Sequence, residues 1–315
     1  MKKIALVLAV LVAALVFQSF AGSARAQNPT SGDFRTWISA TGDDANGCDA
    51  SDPCRTFNQA LSLTLVGGEV SCLGPGPRDA QLTLTITGTV TIDCHGTFAG
   101  ILTYSSSATN AIVVNAPSAV VTLRGLNING YNGGALFLPS SNGIVIQAAA
   151  VVNIEDCVIE NFSQSGISVT TSANTILNVR NTTIRNAANG ISFAPTGGAV
   201  NGSIDRTMIA KMSGNGITTS AGSVFFTVTS SVIANAAGVG VHSGGAGTVL
   251  GIDSSSVSNN RTAFATNGGV IRISRNVIYD NTANYSIAGG VIATSGDNKV
   301  AVNGSTVPNG SITQQ

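Results

Sequence analysis

Acidic and basic side chains alternate at one outward position of a repeating sequence. Paired carboxylates can act as acid and base on a glycosidic bond, and several converging carboxylates can hold calcium. When the repeats are aligned, the position reads Arg124, Glu155, Arg180, Asp205, Thr229, Asp253 and Ser274. Because the charges alternate in sign, cross-strand ion pairs explain them more simply than a metal or catalytic centre does. We assign no catalytic residue, keep Arg124, Glu155, Arg180 and Asp205 as candidates, and predict that Arg180 acts structurally between Glu155 and Asp205.

An insertion between Ile128 and Gly143 interrupts the repeat. The two residues are fifteen positions apart, whereas six or seven positions separate the equivalent residues elsewhere. In repeat proteins such insertions often lie on the binding face, and the rings of Tyr131 and Phe137 could stack on a sugar. Glu160, in the adjacent repeat, could supply a polar contact. These three are the predicted ligand-binding residues, and the alternative is a tolerated surface loop.

Asp43, Asp44 and Asn46 stand in a short segment that resembles a calcium-binding turn. Asp and Asn are also common turn formers, so these residues are candidates only and no metal is assigned. We therefore expect no cofactor, with calcium as the alternative. The two histidines, His95 and His242, have no evident partner carboxylate or nucleophile and are interpreted as surface or turn residues.

Five cysteines are present: Cys48, Cys54, Cys72, Cys94 and Cys157. Cys72 and Cys94 are 22 residues apart, about one repeat, which would place their Cα atoms one strand spacing apart and within disulfide range. Cys48 and Cys54 flank a short loop that a disulfide can close. Cys157 aligns with threonine and serine in later repeats, so we predict that it is a buried free thiol.

A repeat of about 24 residues sets the positions of these side chains. Glycines at 143, 166, 190, 216 and 240 are separated by 23, 24, 26 and 24 residues. Two apolar series run in step with them: Ile154, Val179, Ile204, Val228, Ile252 and Ile273, and Ile159, Ile184, Ile209, Ile233, Val257 and Ile278. Self-similarity at a fixed period indicates a solenoid.

Apolar residues alternate with period two within each repeat, and β-branched residues are abundant, as is typical of strands. The sequence has neither the leucine framework of leucine-rich repeats nor the shorter period of a hexapeptide helix. We therefore predict an all-β fold, a right-handed parallel β-helix solenoid of roughly nine to ten coils, with a short N-terminal capping helix over 56–65. The predicted boundaries are 1–26 for a signal peptide, 27–66 for a strand, loop and capping helix, 67–302 for the β-helix and 303–315 for a polar C-terminal tail.

Residues 1–26 have the parts of a secretory signal: Lys2 and Lys3, an apolar run, and Ala24-Arg25-Ala26 before the expected cleavage. Their removal lowers the number of basic residues from 15 to 12, against 15 acidic residues, which gives a mature charge of −3. This charge argues against nucleic acid as a partner. No later segment is long and apolar enough to span a membrane, so we expect a secreted or periplasmic protein.

Three N-terminal segments resemble the signature of exported pectate-lyase-like proteins of the pectin-lyase superfamily, closest to a bacterial branch with four N-terminal cysteines. They read WISATGDDANG at 37–47, PCRTFNQAL at 53–61 and GGEVSCLGPG at 67–76. Together with the repeats, the resemblance covers nearly all of the mature chain and implies a right-handed parallel β-helix. It leaves the activity open, because the family includes pectate lyases, polygalacturonases, pectin methylesterases and phage tailspikes.

Two functions from different classes remain. The first is an exported β-helix protein that binds polysaccharide or cell-envelope glycan, or that has a structural role in the envelope or matrix, without catalysis. The second is a polysaccharide lyase or glycoside hydrolase that acts on uronate-containing polymers. The sequence has no cluster of acidic residues free of intervening cations, which favours the first function.

Overall fold

The structure is a computed structural model. It describes residues 32–74, 78–80, 83–97, 99–103, 109–130, 140–301 and 303–313. The predicted signal peptide, 1–26, and the predicted ligand-binding residues Tyr131 and Phe137 lie outside these ranges. The chain divides into two units, Met1–Gly32 and Asp33–Gln315, and all the strands below belong to the second unit.

Within the described ranges, parallel strands form a 12-stranded sheet, here called sheet 1, and a 17-stranded sheet, whose two faces are here called sheet 2 and sheet 3. The chain passes through sheet 1, sheet 2 and sheet 3 in turn. Equivalent strands of successive coils are hydrogen-bonded in parallel. The described strands of sheet 1 are Asp33–Ser39, Thr64–Leu73, Val90–Asp93, Val120–Arg124, Val151–Glu155, Thr175–Arg180, Ala199–Asp205, Ser223–Thr229, Thr248–Asp253, Val270–Ser274, Val291–Thr294 and Gly310–Ser311.

Sheets 2 and 3 share two long strands that continue through the corner, Val158–Val169 and Thr183–Phe193. The other described strands of sheet 2 are Arg78–Ala80, Gly100–Leu102, Asn127–Asn129, Met208–Ala210, Val232–Ala234, Ser256–Ser258, Val277–Tyr279 and Lys299–Val300. The other described strands of sheet 3 are Leu84–Ile86, Ile112–Asn115, Ile144–Ala148, Ile217–Thr219, Val239–Ser243, Thr262–Thr266 and Ala283–Ile287.

The two predicted apolar series form part of the solenoid core. The series that ends at Ile273 points inward from sheet 1, and the series that ends at Ile278 points inward from sheet 2. Each of their twelve residues is at most 1% exposed. Burial of such a side chain stabilises the fold by about 1.5–3 kcal/mol. The prediction of an all-β, right-handed parallel β-helix is confirmed.

One α-helix, Phe57–Leu63, is found in the described part of the chain and lies at the N-terminal end of the solenoid. The side chain of Thr56 caps it by accepting a hydrogen bond from the Gln59 N–H at 3.2 Å, and Phe57 and Ala60 are buried. Among the described residues, no helix has the length and apolarity needed to cross a membrane. The predicted capping helix is therefore present, and it is three residues shorter than the predicted span 56–65.

The coils extend beyond the segment predicted for the β-helix, 67–302. The strand Thr64–Leu73 begins three residues earlier. At the other end, Gly310–Ser311 pairs with Ala293 and Thr294 of sheet 1. Part of the predicted polar tail, 303–315, therefore closes the last coil.

A ladder of small polar side chains fills the corner between sheets 1 and 2. Its buried members are Cys157, Thr182, Thr207, Ser231, Ser255 and Asn276. The backbone N–H of each one donates a hydrogen bond to a side-chain oxygen one coil further on, at distances of 2.9–3.5 Å. This corner therefore pairs buried backbone groups that the strand hydrogen bonds do not reach.

The corner between sheets 2 and 3 uses asparagine for the same purpose. The Asn260 Oδ1 accepts from the Ala236 N–H at 2.9 Å, and the Asn281 Oδ1 accepts from the Asn260 N–H at 3.0 Å and from its Nδ2 at 3.1 Å. The Asn281 Nδ2 in turn donates to the Val257 carbonyl at 2.9 Å. A side chain with both a donor and an acceptor is therefore required at position 281.

The disulfide predictions are confirmed. Cys72 and Cys94 are bonded across one coil with Cα atoms 4.8 Å apart, and Cys48 and Cys54 close the loop before the helix with Cα atoms 4.5 Å apart. Cys157 is free and buried. Burial raises the pKa of the Cys157 thiol to about 12.

We predict that the native protein reacts with no thiol reagent at pH 8. Four cysteines are bonded, and Cys157 is inaccessible and remains protonated at this pH. Titration with a chromogenic disulfide reagent should give no thiol per native chain and one thiol after denaturation without reductant. A rapidly reacting thiol in the native protein would contradict the packing of this corner.

We predict that Asn281→Leu lowers the free energy of unfolding by about 1–3 kcal/mol or more, because it leaves buried donors of Asn260 without an acceptor. The control is Ser258→Ala, an outward change on a strand of sheet 2. Urea denaturation followed by circular dichroism measures both. Equal and small losses in the two variants would show that the asparagine ladder does not hold this corner.

Candidate functional site

The outer surface of sheet 1 carries three ladders of side chains, because strands in constant register stack like positions about 4.8 Å apart. The charged ladder is Asp93, Arg124, Glu155, Arg180, Asp205, Thr229, Asp253 and Ser274. The amide–hydroxyl ladder is Thr91, Thr122, Asn153, Asn178, Ser203, Thr227, Gly251 and Arg272. The apolar ladder is Val120, Val151, Ile176, Asn201, Phe225, Val249, Val270 and Val291.

Ion pairs link the first half of the charged ladder. Arg124 contacts two carboxylates, with Nη1 3.0 Å from Asp93 Oδ2 and Nε 3.0 Å from Glu155 Oε2. The hydrogen bond to Glu155, together with that to Asp93, raises the pKa of Arg124 above its ordinary value. The Arg180 Nη2 reaches the other oxygen of Glu155 at 3.4 Å. These carboxylates are therefore neutralised by cations and do not converge on a common point.

Arg180 lies between Glu155 and Asp205 in the register, as predicted, and it forms an ion pair with Glu155. Asp205 pairs instead with its neighbour Arg206 at 3.0 Å and accepts a hydrogen bond from Thr229 Oγ1 at 3.0 Å. Arg206 occupies the corner with a φ of 46°. The four catalytic candidates thus share one ladder. Ion pairs connect Arg124, Glu155 and Arg180 with one another, whereas Asp205 pairs with Arg206.

The amide–hydroxyl ladder is hydrogen-bonded along the solenoid axis. The Asn153 Nδ2 donates to Thr122 Oγ1 at 3.3 Å, and the Asn178 Nδ2 donates to Asn153 Oδ1 at 3.0 Å. Beside it, the apolar ladder stays open to solvent, since Ile176 is 45% and Phe225 is 47% exposed. Neither ladder contains any of the site residues predicted from the sequence. Both ladders could have been found in the sequence, because in each coil their residues lie at a fixed number of positions before the residue of the charged ladder.

The two histidines have polar partners, which corrects the interpretation that His95 has no carboxylate nearby. The His95 Nδ1 lies 3.6 Å from Asp156 Oδ2, two coils further on. Gly125 stands between them, and a side chain there would collide with the His95 backbone N at 2.5 Å. On sheet 3, His242 Nδ1 lies 3.2 Å from Thr218 Oγ1, and burial lowers the pKa of His242.

Glu160 lies on sheet 2, not beside Glu155 on sheet 1. Its carboxylate accepts hydrogen bonds from Arg185 Nε at 2.6 Å and from Asn129 Nδ2 at 3.1 Å. The other two predicted ligand-binding residues, Tyr131 and Phe137, are outside the described ranges. A site at the insertion therefore remains a prediction.

The calcium candidates serve the loop before the capping helix. The Asp44 carboxylate accepts from the N–H groups of Arg55 and Thr56, both at 2.9 Å. Asp43 Oδ1 accepts from the Ala45 N–H at 3.0 Å, and the Asn46 Nδ2 donates to the Pro53 carbonyl at 2.9 Å. Within the described residues, no group of three or more His, Cys, Asp and Glu side chains is arranged to hold a metal ion.

Comparisons with known proteins support the fold. No family model matches the sequence, and no curated protein matches it. Among solved structures, pectate lyase Pel9A matches with a TM-score of 0.62 and 12% identity over 88% of this chain and 79% of that chain. The GH136 lacto-N-biosidase from Eubacterium ramulus matches with a TM-score of 0.51 and 11% identity over 85% and 68%. XylC in complex with xylose matches with a TM-score of 0.50 and 10% identity over 84% and 70%. The chain therefore has a pectate-lyase-like parallel β-helix fold.

We predict that Arg124→Ala destabilises the protein more than Arg180→Ala does. Arg180 makes one exposed ion pair, for which the expected loss is about 1 kcal/mol or less. Arg124 bridges two carboxylates, so its removal takes the paired cation from Asp93 and one of two paired cations from Glu155. Urea denaturation at low and high salt measures both, and salt should reduce the difference. Equal losses in the two variants would contradict the bridging role of Arg124.

Proposed function

We propose that this protein is exported and binds polysaccharide or cell-envelope glycan along the outer face of sheet 1, without cleaving it. The observation that carries this proposal is the set of three outward ladders in constant register. A polysaccharide is itself a chain of repeated units. Successive residues of each ladder, here called its rungs, are about 4.8 Å apart, close to the length of one pyranose residue. An extended polymer along the axis would therefore meet equivalent contacts at each sugar.

The chemistry of the three ladders suits sugars. The apolar ladder can pack against the C–H faces of pyranose rings. The amide–hydroxyl ladder offers donors and acceptors for hydroxyl groups. The carboxylates of the charged ladder are already paired with arginine, as Glu155 is with Arg124, so they are suited to accept hydrogen bonds and poorly suited to transfer protons.

Export is supported by the N-terminal sequence and by the two disulfides. The stretch before Gln27 has the composition of a signal peptide. Disulfides such as Cys72–Cys94 persist outside the cytosol. The mature protein would then meet glycans of the envelope or of the surroundings. The similar structures named above, a pectate lyase among them, support a carbohydrate partner.

A second candidate is cleavage of a uronate-containing polysaccharide by a lyase or hydrolase mechanism. The observation that favours it is the His95–Asp156 contact at the edge of the charged ladder, since histidine and carboxylate side chains are the usual groups of general acid–base catalysis. Two of the arginines there are bonded to carboxylates, so they are less able to neutralise the carboxylate of a uronate. Binding without cleavage is therefore the preferred function.

Affinity electrophoresis of the mature protein tests the proposal. Gels contain xylan, glucomannan, polygalacturonate or alginate, and we expect at least one of them to retard the wild type. Ile176→Glu places a charge on the face of sheet 1, and Met208→Glu places one on sheet 2 at a similar starting exposure, 45% against 40%. The first variant should lose retardation and the second should keep it.

Two outcomes would overturn the proposal: no retardation by any polymer, or equal retardation of wild type, Ile176→Glu and Met208→Glu. A parallel assay for reducing ends separates binding from cleavage. We expect no release of reducing ends. Release by the wild type that His95→Gln abolishes would favour the second candidate.

A further inference from the structure

Gly251 is an exception within the amide–hydroxyl ladder. It lies inside the strand Thr248–Asp253, at the outward position that Thr227 and Arg272 occupy in the adjacent coils. Glycine weakens the interior of a strand, and its presence there usually marks a bulge, a close approach of another backbone, or a close approach of a ligand.

Neither backbone explanation applies to Gly251. Its pairing with Thr227 and with Arg272 is regular on both sides, so there is no bulge. A Cβ at this position would lie 3.8 Å from the nearest heavy atom, the Phe226 carbonyl oxygen, which is ordinary contact. Of the glycines in the described strands, it is the only one that has neither a positive φ nor a contact that excludes a Cβ. The fold therefore accepts a side chain at 251. Of the three explanations for a glycine inside a strand, only the close approach of a ligand remains.

The gap at Gly251 is bordered by side chains of three kinds. Phe225 and Val249 of the apolar ladder lie on one side, and Phe225 is 47% exposed. Thr227 lies below the gap in the same ladder. Asp253 lies on the other side, where Ser274 Oγ donates to its Oδ1 at 2.6 Å and Arg275 forms an ion pair with its Oδ2. The gap is thus a shallow depression with an aromatic wall and a neutralised acidic wall.

Arg272 supplies a charge at the upper end of the gap. It is exposed on the strand Val270–Ser274 and stacks directly over Gly251. Arg124, Arg180, Arg206 and Arg275 on or beside this face all contact carboxylates. Among the described residues, Arg272 forms no ion pair with a carboxylate. Its guanidinium is therefore available to an anionic group of a ligand.

We infer that the depression over Gly251 is a subsite for an acidic sugar residue, whose ring packs on Phe225 and whose carboxylate or sulfate pairs with Arg272. This rests on the proposed binding of polysaccharide along sheet 1 and names the class of polymer. The Thr227 hydroxyl is placed to donate a hydrogen bond to a sugar hydroxyl or to accept one from it, and the Asp253 carboxylate is placed to accept one. The missing side chain at 251 lets the ring approach the sheet.

The test compares acidic polymers with uncharged counterparts of the same backbone. The probes are polygalacturonate, alginate and a sulfated galactan, each with its carboxyl-reduced or desulfated form, in affinity electrophoresis. The wild type should bind at least one acidic polymer about tenfold or more tightly than its uncharged form, since an arginine–anion pair is lost. The polymer that binds distinguishes carboxylate from sulfate.

Three variants locate the binding. Gly251→Val fills the depression and should abolish the preference while keeping or raising the thermal midpoint, because valine favours strands. Arg272→Gln should reduce binding of the acidic polymer to that of its uncharged form. Arg261→Gln is the matched control, an exposed arginine at the corner that leads to sheet 3, and should bind as the wild type does.

The outcomes separate this inference from the proposed function. If the wild type binds a polymer but binds its acidic and uncharged forms equally, or if folded Gly251→Val keeps the preference, the subsite is wrong and binding along sheet 1 stands. If no polymer retards the wild type at all, the proposed function fails, and the inference fails with it. If Gly251→Val does not fold, the difference in acidic-polymer binding between Arg272→Gln and Arg261→Gln still decides whether the subsite exists.

Discussion

Buried corners are the constraint on which this solenoid depends. A chain that turns inside the protein leaves backbone N–H groups that no strand pairs, and each unpaired buried group is costly. Here a small polar side chain one coil further on accepts each of them, as Ser231 does for Thr207 and Asn276 does for Ser255. The same rule holds at one position in six consecutive coils, from Cys157 to Asn276. It therefore fixes the register of the sheets, and the register in turn stacks every outward side chain on its equivalent.

The regular part of the fold was predictable from the sequence because a fixed period makes like residues stack. The core series through Ile154 and Ile159 and the disulfide between Cys72 and Cys94 require only that each coil advance by one strand spacing. The limits of the solenoid were less predictable. Gly310–Ser311 adds a strand without the β-branched pattern of the others, because its backbone pairs with sheet 1 whatever its side chains are.

The candidate site was predictable only where it follows the repeat. The alternation of charge along the ladder gave the pairing of Glu155 with Arg180. It did not give the pairing of Asp205 with Arg206, because spacing does not encode which way a side chain turns at a corner with positive φ. The contact of His95 spans two coils across a glycine. Alignment of neighbouring coils compares adjacent rungs and misses contacts of that kind.

Specificity in such a protein has to come from positions that break the repeat. A surface made of identical rungs gives a polymer many equivalent registers, so it provides avidity without choosing one sugar over another. Gly251 breaks the equivalence by removing a side chain where the fold does not require it, and in the next coil Arg272 adds a charge that no carboxylate of the described residues neutralises. In the proposed subsite, these two neighbouring exceptions on one ladder would create a local preference for an anionic sugar residue. The surrounding regular rungs would then hold the rest of the chain, so that general binding and selective binding reside on the same face but in different residues.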